Sequence, residues 1–220
     1  MGNPARGASW IGHGNGPAAT RFQDKRAGGI SAADLPNLKL KWAFGYANVG
    51  AARAQPTVAG GRLFVASENG EVHALDPRTG CTWWTFKAQA GVRTALSVAT
   101  SRPTRGTPIT AVFFGDGRAN VYAVDAQSGV QLWTRRIDEH LSAAITGAPI
   151  VHDGRLFVGV QGLGEEGRGA TNGYNCCTFR GSLTALDTTT GAVLWKTYTI
   201  DPSLPRAKNK DGVQMYGPAG

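Results

Sequence analysis

The stretch QGLGEEGRG, Gln161 to Gly169, sets two adjacent carboxylates, Glu165 and Glu166, inside a formal Gly-x-Gly-x-x-Gly spacing. After a strand, that spacing marks a dinucleotide site when a helix follows, because glycine lets the backbone approach a pyrophosphate. Here no helix is expected, and two acids stand where the pyrophosphate would lie, so a dinucleotide site is excluded. Taken alone, the stretch reads as a solvated acidic loop. Arg93, in AGVRTALSV, falls in an apolar segment expected to be a strand. A guanidinium buried there without a partner is costly. It therefore either meets an anion or reaches solvent at the strand end, and its planar fork suits a carboxylate. Thr146 in ITGAP and Arg180 in CCTFRGSL have ordinary readings too, as a strand threonine and a structural salt bridge. Cys176 and Cys177 are adjacent. Oxidised, they would close a small ring that clips their loop; reduced, they would be packed or reactive thiols. With Cys81 as the third cysteine there is neither a disulfide framework nor a Cys-x-x-Cys site. The four histidines, His13, His73, His140 and His152, share no metal-ligand spacing.

Arg93, Thr146, the acidic loop, Cys176–Cys177 and Arg180 lie between copies of a phrase that occurs three times: ALDPRTGCTWW from Ala74, AVDAQSGVQLW from Ala123 and ALDTTTGAVLW from Ala185. Each reads Ala-x-Asp-x-x-(Thr/Ser)-Gly-x-x-x-Trp. Asp76, Asp125 and Asp187 stand 49 and 62 residues apart, a period of solenoids, propellers or arrays. Asp, a polar pair, Thr or Ser and Gly make a tight turn between alternating apolar runs. A further strand pair precedes each hairpin: PTVAGGRLFVAS from Pro56, APIVHDGRLFVGV from Ala148, and the divergent ITAVFFGDGRANVYAVD between them. Each unit is thus a meander of four short antiparallel strands, which is a propeller blade. No stretch keeps a 3.6-residue apolar period, so a helical solenoid is excluded. Trp84, Trp133 and Trp195 are expected to fill the wedges between blades, with the indole N–H bonded to backbone. Trp42 is expected to mark the last strand of a preceding blade. About three units lie between Arg53 and Ile200, fewer than a closed propeller needs. The predicted organisation is a leading segment, residues 1–34, followed by a partial all-β propeller over 35–220.

Composition agrees with this class. Of the 220 residues, 41% are hydrophobic and 17% charged, with 31 Gly and 6 Trp. That is a folded, strand-rich balance. Apolar runs are too short to span a membrane, and MGNPARGASW has no apolar signal region. The protein either stays inside the cell or takes an export signal from outside this chain. The net charge is +8, but the cations are scattered in small clusters (Arg102/Arg105, Arg135/Arg136, Lys208/Lys210). Without aromatic residues interleaved they do not outline a nucleic-acid groove. A basic surface, or a docking face for an acidic partner, is the plainer reading.

The repeated phrase resembles the tryptophan-docking repeat of the quinoprotein (pyrroloquinoline quinone-dependent) alcohol dehydrogenases, which are eight-bladed propellers. SWIGHGNGPAATRFQ (Ser9 to Gln23) with LPNLKLKWAF (Leu35 to Phe44) is similar to that family's opening segment. ITGAPIVHDGRLFVGVQG (Ile145 to Gly162) is similar to the stretch lining its cofactor pocket. CCTFRGSLTALD and MYGPAG look most like the polyvinyl alcohol dehydrogenase branch.

The resemblance implies pyrroloquinoline quinone and Ca²⁺ as cofactors. Arg93 takes the place of an arginine beside the quinone oxygens, and Thr146 that of a threonine on a quinone carboxylate. Arg180 matches an Arg-Gly that opens the next strand, and Glu165 or Glu166 a calcium-ligating glutamate. Arg53 stands where many relatives carry an acid. The family's vicinal disulfide lies shortly before the residue matching Arg93. Here that place reads FKAQAGVR, and Cys176–Cys177 falls in a later loop. The catalytic base belongs to later blades of the family, so no catalytic residue is expected within this chain, which should be inactive alone. The complete enzyme would work in the periplasm, oxidise an alcohol and pass electrons to a cytochrome c. The repeat occurs also in non-catalytic outer-membrane assembly propellers, so a scaffold that binds partner proteins is the alternative.

Overall fold

The computed structural model describes residues 9–101, 107–169 and 173–220; Arg102 and Arg105 lie outside them. Three antiparallel meanders follow one another along the chain. The first contains β1 (Thr57–Ala59), β2 (Arg62–Ala66), β3 (Glu71–Leu75) and β4 (Thr82–Lys87). The second contains β5 (Ser97–Ser101), β6 (Ile109–Gly115), β7 (Asn120–Asp125) and β8 (Gln131–Arg136). A two-residue strand β9 (Ala143–Ala144) precedes the third, made of β10 (Ile150–His152), β11 (Arg155–Gly162), β12 (Ser182–Asp187) and β13 (Val193–Tyr198); β9 pairs with the end of β11. A hairpin of β14 (Leu204–Lys208) and β15 (Gln214–Gly217) comes last. These are the four-stranded blades of an all-β propeller, three in number among the described residues.

Arg93 itself precedes β5, so the strand expected across AGVRTALSV begins only at Ser97. Two helical turns, α1 (Lys25–Gly28) and the 3₁₀ turn Ala32–Asn37, lie in the leading stretch. A third, α2 (Glu165–Gly169), occupies the acidic loop where no helix was expected. It is a single turn, and its first residue is buried.

The repeated phrase has one structural meaning in every blade. Its Ala faces its Trp across the last strand pair: Ala74 opposite Trp84, Ala123 opposite Trp133, Ala185 opposite Trp195. A bulge follows each pair, between Ala74/Leu75, Ala123/Val124 and Ala185/Leu186. The small alanine leaves room for the ring. The Asp carboxylate then caps the turn by accepting backbone N–H groups, from Arg78 at Asp76, from Gln127 and Ser128 at Asp125, and from Thr189 and Thr190 at Asp187.

Trp84 and Trp133 each dock on the turn of the following blade. Trp84 Nε1 donates to Ala126 O at 3.1 Å, and Trp133 Nε1 to Thr188 O at 3.0 Å. Trp42 belongs to no strand, yet its Nε1 donates to Pro77 O at 3.1 Å in the same way. In all three the acceptor is the residue after the turn's Asp. The ring lies on the turn's glycine, so an added methyl would meet it at 2.9 Å at Gly80, 2.8 Å at Gly129 and 2.6 Å at Gly191. Those glycines also hold φ of +75°, +77° and +69°, a region unfavourable to other residues. Trp195 has no such turn among the described residues and is 42% exposed, against 8% for Trp84 and 9% for Trp133.

Burial follows the docking. One apolar cluster joins the first and second blades through Phe64, Val72 and Trp84 against Val98, Phe114 and Tyr122. A second joins the second and third through Phe113, Val121 and Trp133 against Ile145, Leu156 and Phe179. Gly129→Ala should therefore lower stability by about 3 kcal/mol, from the clash with the ring and the left-handed backbone together. Urea denaturation measures this, and a wild-type midpoint would refute the docking as described.

Candidate functional site

The loops that lead into the inner strands of the three blades converge on one cavity of about 280 Å³. Arg53 and Gln55 come from the approach to β1, Arg93 and Ala95 from the approach to β5, and Thr146, Gly147 and Ala148 from the approach to β10. His13 completes the wall from the leading segment. That segment is tied to the first blade by backbone hydrogen bonds between Trp10 and Val58, at 2.8 and 2.9 Å, and by Gly14 N–H donating to Gln55 Oε1 at 3.2 Å. Gly12 and Gly14, with φ of +65° and +67°, flank His13 and turn the chain around it.

The cavity is electropositive. Arg53 Nη1 bonds Glu68 Oε1, and Arg93 Nε lies 3.5 Å from the same oxygen. Among the described residues no protein acceptor meets the remaining nitrogens of either guanidinium, nor does the Thr146 hydroxyl have a partner. Unmatched donors around a concave site suit an acidic, planar ligand that accepts hydrogen bonds at several edges. The structure thus brings Arg93, Thr146 and Arg53 together. His13, Gln55 and Glu68 are additions that sequence reasoning missed. The only available signal for His13 was its place between two glycines.

Glu165, Glu166 and Arg180 lie elsewhere. Glu165 opens α2 and is 1% exposed. Its carboxylate accepts from Tyr174 OH at 2.9 Å, Thr178 N at 2.7 Å and Phe179 N at 3.0 Å, and His140 Nε2 lies at 3.5 Å. His140 Nδ1 receives the Ser142 N–H at 3.1 Å. The imidazole proton therefore sits on Nε2, facing Thr178 Oγ1 and Glu165. Burial, followed by the bond to Glu165, holds the Tyr174 phenol above its ordinary pKa. Glu166 is exposed. Arg180 lies over the Tyr198 ring at 3.9 Å and donates Nε and Nη2 to Ile200 O. It lines a separate groove with Lys196 and Asp201.

Cys176 and Cys177 are joined as a disulfide. Their backbone pairs with β15 through Cys177 N to Tyr216 O and Tyr216 N to Cys176 O. The pair thus sits where the loop of the third blade meets the final hairpin. Cys81 is free and exposed. Among the described residues, Glu165, Cys176 and Cys177 form the one close group of potential metal ligands. Sulfurs bonded to each other are not the hard oxygen ligands that calcium takes.

Blades locked by indole on glycine define a repeat propeller, with a cationic cavity where the inner-strand approaches of the three described blades meet. A family model described as outer membrane protein assembly factor BamB matches residues 26–203, and the chain belongs to that family of quinoprotein-type repeats. It is 44% identical over 212 residues to a polyvinylalcohol dehydrogenase of Pseudomonas sp., covering 96% of this chain and 32% of that protein. It is 41% identical to the polyvinylalcohol dehydrogenase of Sphingopyxis sp. (strain 113P3), covering 91% and 30%. The crystal structure of the quinohemoprotein alcohol dehydrogenase from Comamonas testosteroni superposes with a TM-score of 0.69 at 26% identity, over 90% of this chain and 28% of that one. The chain spans about 30% of the length of the curated relatives it matches. Among the described residues no helix is long and apolar enough to cross a membrane.

Glu165→Ala would leave two backbone N–H groups and the Tyr174 hydroxyl without an acceptor, at a cost of about 3 kcal/mol. Glu165→Gln, which keeps one acceptor oxygen, should cost less than half of that. Equal midpoints for the two variants in thermal denaturation would exclude the anchoring role.

Proposed function

We propose that this chain supplies the cofactor-cradling blades of a pyrroloquinoline quinone-dependent dehydrogenase that oxidises alcohols to carbonyls. The observation that carries this reading is the shared cavity of Arg53, Arg93 and Thr146, where, among the described residues, Glu68 Oε1 is the one acceptor that meets the guanidiniums and the Thr146 hydroxyl has no partner. The residues present fit a planar quinone with three carboxylates. Arg93 and Arg53 would take carboxylate or quinone oxygens through their open guanidinium edges, and Thr146 would donate its hydroxyl to another carboxylate. When bound, the quinone would supply a hydride acceptor for the carbinol carbon, with the hydroxyl proton going to a base. In this division Arg93 and Thr146 bind and orient, and the blade walls exclude water. None of the cavity residues is assigned as the base. Arg180, held by Ile200 O and Tyr198, would support the loop rather than touch the ring.

A calcium ion beside the quinone would need six to eight oxygen ligands. Glu165 is committed to its own loop, and Glu166 offers one carboxylate at the surface. The described residues of this chain do not complete a calcium site by themselves. The names of the relatives support the substrate class. Two are polyvinylalcohol dehydrogenases, and a third is a 1-butanol dehydrogenase (cytochrome c) of Thauera butanivorans. A secondary alcohol of a polymer chain as substrate, a cytochrome c as electron acceptor and a periplasmic location follow as parts of the same proposal.

The description of the matching family favours a second reading, a scaffold that binds partner proteins without catalysis. A scaffold has no use for two guanidiniums and a free hydroxyl lining one cavity, and this favours the enzyme.

Titration of the complete gene product with pyrroloquinoline quinone, followed by absorbance, tests the choice. Saturable binding is expected, with Arg93→Ala weakening it about 10- to 100-fold, the range for lost hydrogen bonds to a charged group. Absence of saturable binding, or an Arg93→Ala variant that binds as wild type does, would leave the scaffold reading standing.

A further inference from the structure

The carboxylate of Glu68 is out of keeping with a cavity meant for an anion. It lies in the turn between β2 and β3, its side chain 29% exposed, and it meets both guanidiniums that line the cavity. A single oxygen, Oε1, receives Arg53 Nη1 and lies 3.5 Å from Arg93 Nε. We infer that Glu68 is the positioning residue of the site: one carboxylate oxygen holds Arg53 and Arg93 side by side, by one nitrogen each, and leaves their other edges free for an acidic ligand. This rests on the quinone reading and adds to it the residue that sets the two arginines.

Three observations carry the assignment. First, the backbone delivers Glu68 to this point rigidly. The loop before β5 lies directly on its turn, with Val92 N–H donating to Ser67 O at 3.0 Å and Ala88 N–H to Gly70 O at 2.8 Å. The approach is close enough that a methyl on Gly91 would meet Glu68 O at 2.5 Å. Gly91 therefore lets the segment that carries Arg93 rest against the segment that carries Glu68. Second, the two guanidiniums come from different loops, Arg53 ahead of β1 and Arg93 ahead of β5. Guanidiniums on separate loops repel, and the shared acceptor oxygen of Glu68 is the point that meets both. Third, the attachment is partial. A bidentate pair would consume an arginine's fork, whereas here Arg93 gives only Nε and Arg53 only Nη1. Both arginines remain oriented and still have donors to offer.

A different role is physically coherent and makes the opposite prediction. A carboxylate beside an anion site can act as a place-holder that the ligand must displace, and its removal then strengthens binding. A positioning carboxylate acts through geometry: an uncharged oxygen at the same place preserves binding, and loss of that oxygen weakens it.

The experiment is a pyrroloquinoline quinone titration of the complete gene product and its Glu68 variants, read by absorbance, with unfolding midpoints measured alongside. Glu68→Gln should bind within about threefold of wild type, and Glu68→Ala about tenfold more weakly, the loss expected when a hydrogen bond to a charged group goes. In an Arg93→Ala background, Glu68→Ala should lose less than tenfold, because one of the two arginines through which it acts is gone. Glu68→Leu, which keeps the side-chain volume, stands in for Ala if the smaller residue unfolds the turn. Tighter binding by Glu68→Gln and Glu68→Ala would overturn the proposal in favour of the place-holder. Fully additive losses in the double variant would overturn it as well. If wild type itself does not bind the quinone, the functional reading fails, and the Glu68 assignment with it. If wild type binds and only the variants depart from these values, the functional reading stands and Glu68 alone is withdrawn.

Discussion

The contact on which the rest depends is an indole lying flat on a glycine in the next blade. A four-stranded meander has two faces and too little material to bury either alone. The docking contact supplies a large apolar area and a directed hydrogen bond at the same point. Trp84 reaches Ala126 O and covers Gly129; Trp133 reaches Thr188 O and covers Gly191. The indole N–H would be a buried orphan without that carbonyl. The carbonyl is in place because the preceding Asp has capped the turn. Side chain, cap and glycine therefore stand or fall together, and their joint requirement explains why the chain repeats eleven residues with so few freedoms.

Docking also fixes where the site is. Once neighbouring blades are locked at their outer strands, the inner strands β1, β5 and β10 are brought alongside, and the loops that feed them meet. Arg53, Arg93 and Thr146 are far apart in the chain but occupy the same place in three successive blades, just before the inner strand. The cavity is a consequence of repetition, whereas its chemistry is not repeated: an arginine in two blades and a threonine in the third. A ligand there would touch all three described blades at once, and binding it would further tie them together.

The sequence exposes these two layers unequally. Blade chemistry is legible because every blade imposes it at the same spacing, and Ala, Asp, Gly and Trp each have one job that no other residue does as well. Trp42 is the instructive partial exception. It was read as part of a strand and belongs to none, yet it docks on Gly80 as the others do on their glycines. Docking needs an indole within reach of a capped turn and does not require the indole to sit in a ladder. Arg93 and Thr146 were visible through family likeness. Glu68 was not, because nothing local distinguishes a glutamate in a β-turn; its significance lies in the close approach at Gly91 and in partners from two other loops. Glu165 shows the converse. An acidic pair in a glycine-rich loop looks exposed, and only the folded chain reveals that Glu165 has turned inward to the amides of Thr178 and Phe179 while Glu166 has stayed outside.

This separation between frame and site bears on how far family membership speaks to function. The frame is common to dehydrogenases and to an assembly factor, because tryptophan docking solves a packing problem that both share. Similarity concentrated in the docking phrases therefore carries fold and little more. What discriminates is the short, unrepeated stretch ahead of each inner strand, where no packing rule dictates an arginine. Two guanidiniums beside one carboxylate leave a net positive charge at the cavity and donors that no described residue accepts. That local excess of unmatched donors, rather than the propeller around it, is the physical argument for a bound acidic cofactor.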